Sequence, residues 1–225
     1  MPDAAVELIL ASSSPRRREL LHQAGYRFKV RPPGPMEDAS IRRAPSAAAY
    51  VESLAYLKAM SAIETHGIRK GLVLGADTAV ELEGRIIGKP CDEDEARQIL
   101  SALAGSVHRV LTGLALVDAG AGRSRRACPA CPVGVGAGTR RGERWLAHDA
   151  TTVHMGPMSA AEIHAYVTSG EAMGKAGAYA IQETGDRFVE RIEGSFTNVV
   201  GLPMELLERM LKAAGYDPKD FRDVD

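Results

Sequence analysis

Three stretches of this 225-residue chain gather residue types suited to holding an anion and activating water. The first is ASSSPRRREL, residues 11–20. An apolar run stops at three serines, and three consecutive arginines follow a proline. Serine before proline is a helix start, with Ser14 as the cap and Pro15 at the first helical position. The free N–H groups and positive dipole end of such a helix face whatever lies beyond the strand. Arg16 and Arg17 add forked guanidinium groups that match phosphate oxygens in pairs. The pattern predicts an anionic ligand, most simply a polyphosphate; the same residues also describe an ordinary cap with solvated arginines.

The second stretch, VLGADTAVELEGRIIGKP, covers residues 73–90. Asp77 and Thr78 follow an apolar run expected to end there as a buried strand. The crevice beyond strand ends is where open α/β sheets bind ligands. A carboxylate in that place can take a proton from water or help hold a metal ion; it could equally cap a turn. Lys89 returns on the far arm of a hairpin with Glu83-Gly84 at its tip. The third stretch is MGKAGAYAIQ, residues 173–182. Its glycines let backbone approach a ligand closely around Lys175, and Gln182 offers a donor and an acceptor suited to the edge of a nucleobase.

These stretches need a frame. Strands are expected over 6–11, 26–30, 71–76, 108–117, 151–155 and 188–192, from short apolar or alternating runs. Helices are expected from Ser14 to Ala24, over 46–63, over 92–103 behind acidic first-turn residues, from Ser159 to about Ser169 behind a capping box, and over 204–214. Strands alternating with helices, together with hairpins, predict a mixed β-sheet with flanking helices. The length suits one domain over 1–225, with two lobes.

The totals narrow the function classes. A formal net charge of -1 argues against a nucleic acid polymer as partner, because phosphate-tracking proteins carry a strong basic excess. No apolar stretch approaches the roughly 18 residues of a membrane span. Three cysteines do not make a disulfide framework, so the expected compartment is the reducing cytoplasm.

Taken in order, ASSSPRRREL, GADT, GKP, LAGSVHRVLTG, GKAGAYAIQ and IEGSFTNVVGLP resemble the Maf family of nucleoside triphosphate pyrophosphatases, related in fold to the inosine triphosphate pyrophosphatases. The resemblance implies two lobes around a nucleotide-binding cleft. It implies hydrolysis of a nucleoside triphosphate to monophosphate and pyrophosphate with a divalent cation, magnesium or manganese. Asp77 becomes the proton acceptor, and Arg16, Thr78 and Gln182 the specificity positions. Ser12, Arg17, Lys58, Lys89 and Lys175 match further polar positions of the family's cleft. Glu37 does too, and joins Asp77 as a metal ligand, although its loop PPGPMED departs from the family's acidic one. The AGAYAIQ and SFTNVVGLP endings look like the subgroup acting on dTTP and UTP, ahead of the one acting on 7-methyl-GTP. A homodimer is a family-level expectation. The rival from another class is a nucleotide-binding division regulator whose turnover is incidental.

Residues 119–147 stand outside these motifs. Rich in glycine, alanine, proline and arginine, they read as a loop insertion in a hairpin. Cys128, Cys131, His148 and His154 form a C-x2-C-x16-H-x5-H pattern of the general kind that binds zinc. A stretch translated out of frame from a GC-rich gene would carry the same composition.

Overall fold

The computed structural model describes residues 6–35, 44–120, 143–182 and 184–223. Its centre is a seven-stranded mixed sheet. The order is β2 (Phe28–Val30), β1 (Leu8–Ala11), β3 (Leu72–Leu82), β5 (Val107–Asp118), β6 (Arg144–Met155) and β7 (Val189–Glu193), with β4 (Arg85–Ile87) paired to β3 off this path. The strands β2, β1 and β3 run parallel, and the remaining pairings are antiparallel. This is the mixed sheet with flanking helices that the alternation of elements predicts.

Two apolar cores share one face of the sheet. The first joins Leu10, Leu74 and Leu114 to Leu21 of α1 (Pro15–Gln23) and Leu207 of α6 (Met204–Ala213). The second joins Val80, Val110 and Val153 to Leu100 of α3 (Glu93–Leu103) and Ile163 of α4 (Ala160–Thr168). The other face is covered by α2 (Ala47–His66), through Val51, Ala59 and Ala62. That helix lies unusually close to the sheet. A Cβ at Gly75 would run into the Ala55 carbonyl, and one at Gly113 into the Val51 backbone. Glycine on two neighbouring strands, facing alanine and valine on the helix, makes this approach possible.

Two expectations change. The strand expected to end at Asp77–Thr78 continues to Leu82, so both residues lie mid-strand. Their setting is still a crevice. β1 accompanies β3 only as far as Gly75, opposite Ala11, and β4 joins the same edge only from Val80. Between those points the edge of β3 has lost one partner and not gained the next, and helix α1 starts just beyond the end of β1. The second change concerns 119–147. β6 already begins at Arg144, and the Asp118 N–H donates to the Glu143 carbonyl at 3.0 Å, so the ends of the segment meet across the β5–β6 ladder. Cys128 and Cys131 lie outside the described residues. One α-helix lies outside the expected set, the single turn α5 (Phe196–Val200) within SFTNVVGLP.

Candidate active site

A cleft of about 310 Å³ opens at this gap in the sheet. Its walls bring together Ser12, Arg16, Arg17, Lys58, Asp77, Thr78, Lys89, Lys175 and Gln182 from six separate elements and loops. Every described residue singled out from the sequence for substrate or catalysis is thus in one place; Glu37 lies outside the described residues. Tyr179 and Gly201 also line the cleft, and neither carries a charge or side-chain pattern that marks it as functional in the sequence.

Alternation along β3 divides its two functional residues between the faces of the sheet. Asp77 follows Gly75 toward α2, and there its carboxylate forms an ion pair with Lys58. The close seat of α2 is what brings the lysine within reach. Both side chains are largely shielded, at 20% and 14% exposure for Lys58 and Asp77. Burial lowers the Lys58 pKa from its ordinary value, the charge of Asp77 opposes that, and nearby Arg17 adds to it. Asp77 is the one carboxylate lining the cleft among the described residues.

Thr78 points to the other face and enters a chain of hydrogen bonds. Thr78 pairs directly with Thr112 on β5, their hydroxyls 2.9 Å apart. Thr112 gives its only hydroxyl hydrogen to the Asn198 carbonyl at 2.9 Å, so Thr78 must be the donor between the two threonines. Thr78 accepts in turn from Arg17 at 3.2 Å. The Asn198 side chain, fully buried, donates to the Val110 carbonyl and to the Thr151 hydroxyl, both at 2.9 Å. The SFTN turn therefore fastens β5 and β6 to the floor of the cleft.

Arg17 is the buried cation of the site. Its guanidinium donates to the Gly201 carbonyl at 2.8 Å, to the Ser12 hydroxyl at 3.2 Å and to Thr78. Burial lowers its pKa, with the charge of Asp77 opposing. Three of five N–H bonds are thus committed to the protein, and the charge stands across from Asp77 without touching it. Arg16, one residue earlier on the helix, lines the open side. Lys175 donates to the Glu171 carbonyl at 2.5 Å, while Lys89 and Gln182 are exposed at the cleft mouth.

The two histidines of the cysteine–histidine pattern are engaged elsewhere. His148 lies 2.7 Å from Glu52, and His154 lies 3.2 Å from Glu193. Among the described residues no group of three or more histidine, cysteine, aspartate and glutamate side chains is placed to hold a metal ion.

Comparison with known proteins agrees with the geometry. The family model described as Maf-like protein matches residues 7–214. A protein of Pelotomaculum thermopropionicum named dTTP/UTP pyrophosphatase is 41% identical over 218 residues, covering 94% of this chain and 98% of its own. One from an Anaeromyxobacter species with the same name is 42% identical over 212 residues, covering 94% and 91%. A solved structure titled nucleoside-triphosphatase / dITP/XTP pyrophosphatase, from Mycobacterium abscessus, covers 93% of this chain and 95% of its own at 12% identity and a TM-score of 0.40, too loose a likeness to argue from. With nearly its whole length matched, and with the matched motifs converging on one cleft, the chain belongs to the family of Maf-like proteins.

Proposed function

We propose that the protein is a nucleoside triphosphate pyrophosphatase preferring dTTP and UTP. The observation that carries the reading is the Asp77–Lys58 pair set in a cleft whose other charged lining residues, among those described, are all cations: Arg16, Arg17, Lys89 and Lys175. Such a cleft attracts a polyphosphate and keeps one basic oxygen beside it. Phosphoryl displacement depends chiefly on positioning and charge neutralisation, so this set suffices for much of the chemistry. The relatives' names supply the choice of dTTP and UTP.

Asp77 takes the proton of a water whose oxygen bonds to the α-phosphorus. The bond from that phosphorus to the bridging oxygen breaks, and pyrophosphate leaves with the electron pair. Lys58 pairs with the Asp77 carboxylate before substrate arrives and can turn to a phosphate oxygen afterwards. Arg17 fixes Ser12 and Thr78 as a rigid floor, leaving Arg16, Lys89 and Lys175 to meet the phosphates. Gln182, at the exposed mouth, reads the base, with Arg16 and Thr78 as the other specificity positions.

A divalent cation, magnesium or manganese, fits this donor set, because magnesium is commonly held by one or two carboxylates together with substrate phosphates. Asp77 would be its ligand, with Glu37 as the second candidate, and the ion would neutralise charge developing on the phosphates. A cytoplasmic location and a homodimer belong to the same proposal. Sparse cysteines support the first, and the family resemblance alone suggests the second. Among the described residues no helix is long and apolar enough to cross a membrane.

The test is pyrophosphate release from a panel of dTTP, UTP, CTP, ATP, GTP and 7-methyl-GTP with magnesium or manganese. Faster turnover of dTTP and UTP is expected. Preference for 7-methyl-GTP would overturn the substrate assignment, and tight binding without pyrophosphate release would overturn the enzyme.

A further inference from the structure

The segment that carries Lys175 and Gln182 is held in an unfavourable shape by a contact outside the phosphate-binding set. Gly177 and Ala178 both have left-handed backbone, with φ of 74° and 59°. For alanine that conformation is disfavoured, because Cβ crowds the following carbonyl. Ala178 is nonetheless fully buried in it. Strain of this kind persists only where the surroundings over-determine the fold.

What over-determines it is visible. The Gly177 N–H donates to the Gly88 carbonyl at 3.1 Å, beside Lys89. The Ala180 N–H donates to the Tyr166 hydroxyl at 3.3 Å. Between them Tyr179 turns into the core, where its hydroxyl lies 2.8 Å from Nε2 of His108 on β5. The two rings meet edge to face, with centroids 5.6 Å apart. His108 is 1% exposed, and its Nδ1 has no hydrogen-bond partner among the described residues. Whichever of the two groups donates, the contact is one hydrogen bond between two buried side chains. Burial pushes the His108 pKa down to about 4, which keeps the ring neutral and the pairing intact at neutral pH. His108 never reaches the cleft, whereas Tyr179 lines it.

We infer that His108 and Tyr179 are a positioning pair for the base-reading end of the cleft. Their hydrogen bond holds the left-handed turn at 177–178 and thereby sets where Lys175 and Gln182 meet the nucleotide. The inference rests on the pyrophosphatase reading for its substrate, and its pair joins a cleft-lining residue, Tyr179, to one outside the lining, His108.

Tyr179→Phe keeps the ring and removes the hydrogen bond; His108→Phe and the double variant complete a cycle. Kinetics on the parent's best triphosphate and on a poor one should show KM for the best substrate rising by about tenfold, the scale of one lost hydrogen bond. The loss in kcat should be smaller, and the ratio of kcat/KM between the two substrates should narrow. The double variant should be no worse than the poorer single. Amide hydrogen exchange at 176–182 in the ligand-free protein should quicken by about tenfold in Tyr179→Phe. This readout needs no turnover, so it decides the inference even if the parent prefers another triphosphate or has no activity. If His108→Phe fails to fold, Tyr179→Phe alone carries the test. Unchanged exchange would overturn the inference, as would equal kcat losses on both substrates with KM and their ratio unmoved.

Discussion

At the scale of single residues, the site separates charge that acts from charge that holds. Asp77 and Lys58 face one side of the sheet, and Thr78 with Arg17 faces the other. Thr78 has given its hydroxyl hydrogen to Thr112 and accepts from Arg17, so its first task is to join two strands and a helix. Thr78→Val keeps the shape and leaves partners on both sides unsatisfied. A loss of about 1–3 kcal/mol is expected, since an unmade buried hydrogen bond costs its full desolvation. For a chain of this size that is a drop of several degrees in melting temperature, read by calorimetry; an unchanged midpoint would count against the chain of bonds. The arginines and Asp77 were legible in the sequence because charge beside serine, proline and glycine is informative locally. Thr112, Asn198 and His108 stand in the motif stretches yet were assigned no role. Their partners come from distant strands and turns, and only the register between those elements reveals what each side chain meets.

At the scale of elements, the central fact is how α2 lies on the sheet. Ala55 faces Gly75 and Val51 faces Gly113, and this contact brings Lys58 to Asp77. Gly113→Ala would place a methyl group into the backbone near Val51, where no flexible side chain can yield. Overpacking of this kind typically costs about 1–3 kcal/mol. The helix should also shift enough to weaken the Lys58–Asp77 pair, so kcat should fall more than nucleotide affinity. Parental activity with only a lowered melting temperature would separate the seat of α2 from the chemistry. Helix and strand positions followed from apolar period and capping residues, including the Ser159–Glu162 capping box that the structure contains. The end of β3 did not. A strand that changes partners along one edge, from β1 to β4, looks from its own residues like a strand that stops.

At the scale of the whole molecule, two apolar cores pack on one face of a single sheet, and titratable groups tie its stability to pH. His108 is neutral in the fold, with its pKa pushed by burial from an ordinary 6.5 to about 4. The unfolded chain therefore takes up the proton first as pH falls. Stability should decline between about pH 6.5 and 4, by as much as about 3 kcal/mol from this group. His148 acts with the opposite sign. Its hydrogen bond to Glu52 raises its pKa, so its contribution is present at low pH and lost as pH rises through the folded value. It is partly exposed, which keeps that effect small. Thermal melts of the parent and His108→Phe across this range should show a flatter acid limb in the variant; parallel curves would refute the assignment.

The account stands most directly on Asp77. Asp77→Asn keeps size and hydrogen-bonding capacity and removes the basic oxygen. The rate of pyrophosphate release at saturating dTTP, measured beside dTTP affinity on one preparation, isolates that change. Losing a positioned general base typically costs about 10² to 10⁴ in rate. Affinity should hold or tighten, because Lys58 is freed for the phosphates while Arg16, Lys89 and Lys175 remain. A kcat reduced by that factor with undiminished binding is the predicted result. A kcat near the parental value would contradict the role given to Asp77 and with it the central claim.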